Sequence, residues 1–168
     1  KFIPEEIYNL SAQSAVGLSF KEPLETHKSI VDTTLNLLEA SRQLNFQGNI
    51  FLAGSSEIFG DTKIAAKETT PACPKSPYAI AKYNSLLLGK MYREIYQIKC
   101  STGILFNHES PIRNDQFVIK KIIKTAVNIK NKKAKKIILG NIKVIRDWGW
   151  AEEYVEAMHL MNTSKCKK

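Results

Sequence analysis

The chain has 168 residues, of which 43% are hydrophobic and 24% charged, and a formal net charge of +9 at pH 7. These values are ordinary for a soluble globular protein, and the length suits one domain with a core of its own. No stretch approaches the roughly 20 apolar residues of a membrane span, and no signal-peptide pattern opens the sequence. Cys73, Cys100 and Cys166 are odd in number, far apart and without zinc-like spacing. We therefore expect a reducing, cytoplasmic compartment, no metal site and no membrane partner.

The positive charge is concentrated in residues 120–136 and at the end of the chain, where lysines are frequent. No aromatic interleaving or nucleic-acid motif accompanies these lysines, so the solvated face of a helix explains them better than a nucleic-acid surface. A diphosphate ligand would also attract such cations. We expect no nucleic-acid partner.

Apolar patterns along the chain alternate between the period of a strand and that of a helix. In chain order, the prediction is strand 6–10, helix 27–44, strand 49–53, helix 78–96, strand 99–106, helix 117–131, strand 136–139 and helix 151–161. The last helix begins with Ala151, Glu152 and Glu153, and acidic residues suit a helix N-terminus. Strands separated by long helices indicate βαβ units and therefore an α/β fold with a parallel sheet.

Tyr78 and Lys82 lie one helical turn apart in the segment SPYAIAKY. Residues i and i+4 are neighbours on a helix, so the lysine would place a positive charge beside the phenol and lower its pKa. Ser76 and Pro77 predict the N-cap and the first residue of this helix, which puts Tyr78 in the first turn. The helix dipole also favours a phenolate there. The pair therefore suits a general base, with chance spacing as the alternative.

A glycine-rich turn is absent from the sequence. A dinucleotide-binding domain carries such a turn after its first strand, where the pyrophosphate meets a helix N-terminus. None of the eight glycines belongs to a GxGxxG or GxxGxxG cluster. We therefore expect the chain to begin inside such a domain, at its fourth strand, and to be the central part of a larger enzyme.

Seven segments carry a resemblance to a known family: EEIYNLSAQS, AGSSEIFG, KETTP, KSPYAIAKY, GILFNHESP, LGN and RDWG. On these segments the chain resembles the extended short-chain dehydrogenase/reductase superfamily and, within it, the GDP-mannose 4,6-dehydratases. The resemblance implies a Rossmann-like, doubly wound parallel sheet that binds NADP or NAD over residues 1–106. It implies the start of a small substrate-binding lobe for GDP-mannose over residues 107–168, and a homo-oligomer, either a dimer or a tetramer.

The resemblance also implies a catalytic set of Ser55, Glu57, Tyr78 and Lys82. Tyr78 would remove the proton of the sugar C4 hydroxyl, while Lys82 would hold the nicotinamide ribose and lower the pKa of the tyrosine. Ser55, where the family more often has threonine, would hydrogen-bond the C4 oxygen. Glu57 would take the C5 proton and help to expel the C6 hydroxyl as water. Return of hydride to C6 would give a 4-keto-6-deoxy sugar.

Further residues are expected to bind ligands because they match family positions. The cofactor would contact Leu10, Ser11, Ala12, Gln13, Ser14, His108 and Arg113, in addition to Lys82. The nucleotide sugar would contact Ser56, Asn107, Val118, Lys121, Leu139, Gly140, Asn141 and Arg146. A buried structural histidine is the alternative for His108, and Trp148 and Trp150 are expected in a core or an interface. Three departures weaken individual contacts, since Ser11 replaces a usual glycine, Glu25 a familiar tyrosine and Ile112 the first of two arginines.

Two other functions stay open from the sequence. A related nucleotide-sugar epimerase or reductase would use the same tyrosine, lysine and serine, and Glu57 would then be a solvated or ion-paired loop carboxylate. A non-catalytic binding module would use the lysine-rich surface, and salt-sensitive binding of nucleic acid would support it. A dehydratase differs from the first alternative because it makes a 4-keto-6-deoxy sugar with no net change in the redox state of the cofactor.

Overall fold

The computed structural model of this chain describes residues 3–115 and 117–164. They fall into two compact units. The first unit consists of Lys1–Phe106 with Glu156–Lys168, and the second unit of Asn107–Val155. Each unit is described by itself below.

The first unit is built on a parallel sheet of three strands, β1 (Glu6–Asn9), β2 (Asn49–Ala53) and β3 (Cys100–Gly103), with β2 in the centre. Its helical elements are α1 (Val16–Ser19), α2 (Pro23–His27), a π turn (Lys28–Asp32), α3 (Thr33–Gln43), a 3₁₀ turn (Ser56–Phe59) and α4 (Pro77–Tyr96). The register pairs Asn9 with Leu52 and Ala53 with Gly103, so the carboxyl ends of the strands share one edge. The prediction of an α/β fold with parallel strands is confirmed.

The core of the first unit lies where the helices cover β2. Ile50, Phe51 and Leu52 of β2 are buried, which is typical of a central parallel strand covered on both faces. Leu38 of α3 and Tyr92 of α4 belong to the same cluster as Ile50 and Leu52. The predicted helix 27–44 is therefore present, but helical structure begins earlier, at Pro23, and contains the π turn. The strand predicted at 99–106 is shorter, because the chain leaves the sheet after Gly103.

The second unit contains two short parallel strands, β4 (Asn107–Glu109) and β5 (Trp148–Trp150), and the helix α5 (Val118–Lys130). The helix α6 (Ala151–Thr163) contributes residues to both units. Among the described residues, no helix is long and apolar enough to cross a bilayer.

One expectation for this unit is wrong, and another is reduced to one of its two alternatives. Residues 136–139 form no strand; Ile138 is exposed, and the segment belongs to neither sheet found among the described residues. The tryptophans Trp148 and Trp150 are not core residues, since each remains 42% exposed on β5. An interface role for them stays a prediction.

Candidate active site

Ser55 and Glu57 follow the carboxyl end of β2. Gly54 lets the chain pass close to β3, because a Cβ at this position would lie 2.7 Å from the carbonyl oxygen of Gly103. Ser55 is the N-cap of the 3₁₀ turn, and its Oγ accepts a hydrogen bond of 3.3 Å from the Glu57 amide. The carboxyl edge of a parallel sheet is the usual place for ligands in α/β folds. Both side chains therefore lie at the edge where the sequence places the site.

Tyr78 enters the same region at the first turn of α4. Ser76 is the N-cap and its Oγ accepts a hydrogen bond of 3.0 Å from the Ala79 amide, while Pro77 occupies the first helical position. This confirms the predicted start of the helix. The Tyr78 ring is 7% exposed, and it packs in a cluster with Ile30 and Val31 of the π turn.

The pKa of Tyr78 is raised above its ordinary value, contrary to the sequence-based expectation. Burial is the main cause, because a phenolate in an apolar cluster loses its hydration. Hydrogen bonding to Ser55 lowers the pKa, and the negative charge of Glu57 raises it. The three side chains are thus close enough to influence one another, although the protein alone keeps the phenol protonated.

Lys82 lies on the same face of α4, and its ammonium group reaches the end of β2. The side chain is 8% exposed, and Nζ donates a hydrogen bond of 2.8 Å to the carbonyl oxygen of Ala53. Nζ lies 5.8 Å from the centroid of the Tyr78 ring. Burial lowers the pKa of Lys82 to about 8. Lys82 is thus hydrogen-bonded to the backbone beside the tyrosine, and it is not among the causes that shift the pKa of Tyr78.

The loop that follows β1 borders this group of residues. Ala12 has a φ of 104°, a conformation that L-residues rarely adopt, and it packs against the cluster that contains Tyr78. Gln13 fixes the loop, because its side chain donates to Thr26 Oγ1 and accepts from the Ala15 amide at 2.9 and 2.7 Å. Leu10, Ser11 and Ser14 are exposed. The loop expected to contact the cofactor is therefore strained at Ala12 and held in place by Gln13.

The whole chain is similar to known proteins. The model of the family described as GDP-mannose 4,6 dehydratase matches residues 1–168. The chain belongs to this family. GDP-mannose 4,6 dehydratase 1 of Arabidopsis thaliana is 46% identical over 162 residues, covering 94% of this chain and 45% of the relative. The chain therefore spans about half the length of the curated relatives that it matches.

Solved structures share the fold of the chain. RMD from Pseudomonas aeruginosa, solved in complex with NADPH, superposes with a TM-score of 0.87 at 24% identity, covering 95% of this chain and 56% of the other. UDP-glucose 4-epimerase of Thermus thermophilus, solved with NAD, superposes with a TM-score of 0.82 at 25% identity, covering 96% and 54%. Family membership and this likeness establish the Rossmann-type fold of the short-chain dehydrogenase/reductase enzymes.

His108 and Arg113, the two further residues expected to contact the cofactor, lie in the second unit. His108 on β4 is half-buried and stacks on Tyr154, with ring centroids 4.4 Å apart. Arg113 pairs with Glu109 at 3.7 Å between Nε and Oε2, and its guanidinium lies 3.6 Å from the centroid of the Phe117 ring. These contacts hold both side chains within the unit.

The predicted sugar-binding residues are spread over several elements of the second unit. Asn107 is on β4, while Val118 and Lys121 are exposed on α5. Leu139 is partly buried in the loop between α5 and β5, and Gly140, Asn141 and Arg146 are exposed there. Asn141 Oδ1 accepts from the Lys143 amide at 3.0 Å. Ser56 is the one predicted sugar contact in the first unit, in the 3₁₀ turn between Ser55 and Glu57.

Sequence patterns did not reveal the contacts that support the site. The carbonyl of Ala53 as the acceptor for Lys82 has no sequence signal, because any residue supplies a carbonyl. For the packing of Ile30 and Val31 on Tyr78, the sequence gives one indication, which is the apolar face of the predicted helix 27–44. The position of Ser85 near Tyr78 could have been predicted, because a residue seven positions after Tyr78 lies on the same face of α4.

Proposed function

We propose that this protein acts as a GDP-mannose 4,6-dehydratase, the activity of the family to which the chain belongs. The observation that carries the proposal is the proximity of Ser55, Glu57, Tyr78 and Lys82 at the carboxyl edge of the parallel sheet. Hydrogen bonding joins Tyr78 to Ser55, and the charge of Glu57 acts on the tyrosine. A buried phenol, a carboxylate, a hydroxyl and a buried amine are the groups that proton transfers at neighbouring sugar carbons require.

NADP, or alternatively NAD, is the proposed cofactor. The donor set fits such a group, since the N–H groups of Lys82 suit ribose hydroxyls and the adjoining loop Leu10–Ser14 follows the end of β1. The cofactor would accept the C4 hydride of the sugar and return it to C6. His108 and Arg113 are proposed as further cofactor contacts.

Tyr78 and Ser55 are proposed to act on the C4 oxygen. Ser55 would orient the hydroxyl of the sugar, and Tyr78 would take its proton as C4 is oxidised to the ketone. Because burial raises the pKa of Tyr78, proton removal needs a nearby positive charge. Lys82 is proposed to supply that charge when a ligand hydroxyl takes over the hydrogen bond now given to Ala53.

Glu57 is the residue that favours elimination over simpler chemistry. A ketone at C4 acidifies the C5 proton, and a carboxylate beside the C4 site is placed to take it. The same group in its protonated form would assist loss of the C6 hydroxyl as water. Epimerases and reductases abstract no C5 proton for elimination, so Glu57 would be a bystander in them.

The guanosine diphosphate part of the substrate is proposed to bind residues of the second unit. Lys121 and Arg146 would neutralise the diphosphate, since both are exposed cations. The other proposed contacts in this unit are Asn107, Val118, Leu139, Gly140 and Asn141, and Ser56 of the first unit is proposed to contact the sugar. Asparagine side chains and backbone groups would read the polar edges of the nucleotide.

We also propose that the protein is a cytoplasmic homo-oligomer. Ile80, Leu87, Met91 and Ile95 are exposed along one face of α4, and an exposed apolar stripe of this kind suits a contact between copies. Cys73 and Cys100 are free thiols, in agreement with a reducing compartment.

The activity is tested by incubating the purified full-length protein with GDP-mannose and NADP and measuring the mass of the product. We expect a loss of one water molecule and no net accumulation of reduced cofactor. Unchanged GDP-mannose in a folded, cofactor-loaded preparation would refute the proposed function. Formation of an isomer of the same mass would favour an epimerase.

The role of Glu57 is tested by Glu57→Gln, which keeps the shape of the side chain but removes the base. We expect dehydration to fall by about 10² or more, in line with general-base contributions of roughly 10²–10⁴. Oxidation at C4, with reduction of the bound cofactor, should survive, because Tyr78 and Lys82 are intact. Asp61→Asn is the matched control, since Asp61 is an exposed carboxylate four residues further along the same loop. Equal turnover in the two variants would make Glu57 a structural residue.

A further inference from the structure

A hydroxyl pair joins the π turn to α4 beneath the candidate site. Thr34 and Ser85 are both buried, and their Oγ atoms are 3.1 Å apart. Both reach the carbonyl oxygen of Ile30, Thr34 at 2.7 Å and Ser85 at 3.3 Å. Each hydroxyl has one hydrogen, so Ser85 donates to Ile30 while Thr34 divides its hydrogen between Ile30 and Ser85.

The carbonyl that both hydroxyls reach lies in the π turn, where the helix is irregular. A π turn interrupts the regular ladder of a helix, and such interruptions are frequent at functional sites. Ile30 lies in the π turn, and Thr34 is in the first turn of α3. A buried carbonyl must be satisfied. The Ile30 carbonyl accepts the Thr33 amide, Thr34 adds a hydrogen bond from within the same helical segment, and Ser85 adds one from α4.

The same contact lies directly next to the proposed catalytic tyrosine. Ser85 follows Tyr78 by seven residues and Lys82 by three, so all three share one face of α4. Ile30 and its neighbour Val31 pack against the Tyr78 ring. Any slip of the π turn along α4 would therefore move the side chains that hold this ring.

We infer that Thr34 and Ser85 are positioning residues, which hold the π turn against α4 through the Ile30 carbonyl and thereby set the position of the Tyr78 ring. The expected effect on kcat rests on the proposed function. The expected effect on the position of the Tyr78 ring rests on the geometry alone. Neither hydroxyl touches the sugar or the cofactor in the roles proposed above. Their effect should appear in the reactivity of Tyr78 and not in the binding of substrate.

The test uses Thr34→Val and Ser85→Ala in the full-length protein, each of which removes a hydroxyl with little change of volume. We expect kcat to fall roughly tenfold while KM for GDP-mannose stays within about twofold, because a misplacement of about 1 Å can cost ~10² in rate. Thr34→Ser keeps the hydroxyl and should restore kcat. Ultraviolet difference titration, with Tyr78→Phe in each background as the reference, should show Tyr78 ionising at lower pH once its packing loosens.

Ser41→Ala is the matched control. Ser41 is a buried hydroxyl on α3 that donates to the Leu37 carbonyl at 2.7 Å, but it makes no bridge to α4. If Thr34→Val and Ser85→Ala match Ser41→Ala in both kcat and the titration of Tyr78, the inference is wrong. Absence of dehydratase activity in the unsubstituted protein would instead refute the proposed function, and the titration of Tyr78 would still decide the positioning role.

Discussion

The two units of the molecule differ in how far their apolar side chains are buried. In the first unit, Leu38, Ile50 and Phe51 are completely excluded from solvent. In the second unit, none of residues 107–115 and 117–155 is buried, and Ile112 and Ile145 are 94% and 90% exposed. Catalytic groups need fixed positions, and the four proposed catalytic residues all belong to the unit with the packed core. The second unit instead offers apolar and cationic surface, which suits contacts with a ligand or with further protein.

Substitution of a large apolar residue in each unit gives the strongest test of this comparison. Phe51→Ala should lower the free energy of unfolding by about 3–5 kcal/mol, because it opens a cavity in the centre of the sheet. Ile145→Ala should change it by less than about 0.5 kcal/mol, as expected for an exposed side chain. Urea unfolding of the full-length protein measures both. A large loss for Ile145→Ala would show that this side chain is covered in the whole protein, and the contrast between the units would fail.

The sequence predicted the first unit better than the second, and the reason lies in the length of its patterns. The segments NIFLA and SPYAIAKY are long enough to show a buried strand and a capped helix, and both are present. The strands β4 and β5 have three residues each, so no period can be read from them. The segment 136–139 looks like a strand locally, but a strand forms only where another strand pairs with it.

Within the site, residue identities could be predicted but their electrostatic balance could not. The neighbouring positions of Tyr78 and Lys82 follow from helical spacing. The raised pKa of Tyr78 depends on burial by Ile30 and Val31 from another helix, and the lowered pKa of Lys82 on burial and not on any charged neighbour. Such desolvation arises from tertiary packing, which no local sequence pattern predicts.

The burial of Lys82 predicts a pH dependence of stability that originates in the first unit. Its pKa is about 8 in the folded state against 10.5 as the ordinary value. Between these values the unfolded state binds one more proton, so the free energy of unfolding rises with pH by up to about 1.4 kcal/mol per unit. The pKa of Tyr78 is raised in the folded state, so this residue contributes stability at pH values below its ordinary pKa of 10.0. That contribution to the free energy of unfolding is lost as the pH rises above 10.0. The window for the rise is therefore pH 8 to 10, and the gain is roughly 2 kcal/mol.

Lys82→Met should abolish this rise, and urea unfolding at several pH values between 8 and 10 would measure it. Lys99→Met is the matched control, because Lys99 also donates to a backbone carbonyl, that of Gln47 at 2.9 Å, but is exposed. The control should keep the rise of the unsubstituted protein. A rise of equal size in Lys82→Met would mean that the amine of Lys82 is hydrated in solution.

The smallest expected effect concerns a ring contact in the second unit. Gly149 on β5 lies against Tyr154, and a Cβ added to it would come within 2.3 Å of Cε2 of that ring. Gly149→Ala must therefore displace the ring from its stack on His108, at a cost of about 1 kcal/mol or somewhat more. Hydrogen exchange of the amides of β4 and β5, which pair Asn107 with Trp148, should become faster.

Gly140→Ala provides the matched control for this effect. Gly140 lies in the same unit, and a Cβ there would meet nothing within 4 Å. Its exchange rates in β4 and β5 should equal those of the unsubstituted protein, and amides of β2 in the first unit should be unchanged in both variants. No described side chain of the second unit is buried, so few other contacts would compensate for displacement of the Tyr154 ring. Unaltered exchange in Gly149→Ala would show that the β4–β5 pair is held by contacts other than the His108–Tyr154 stack.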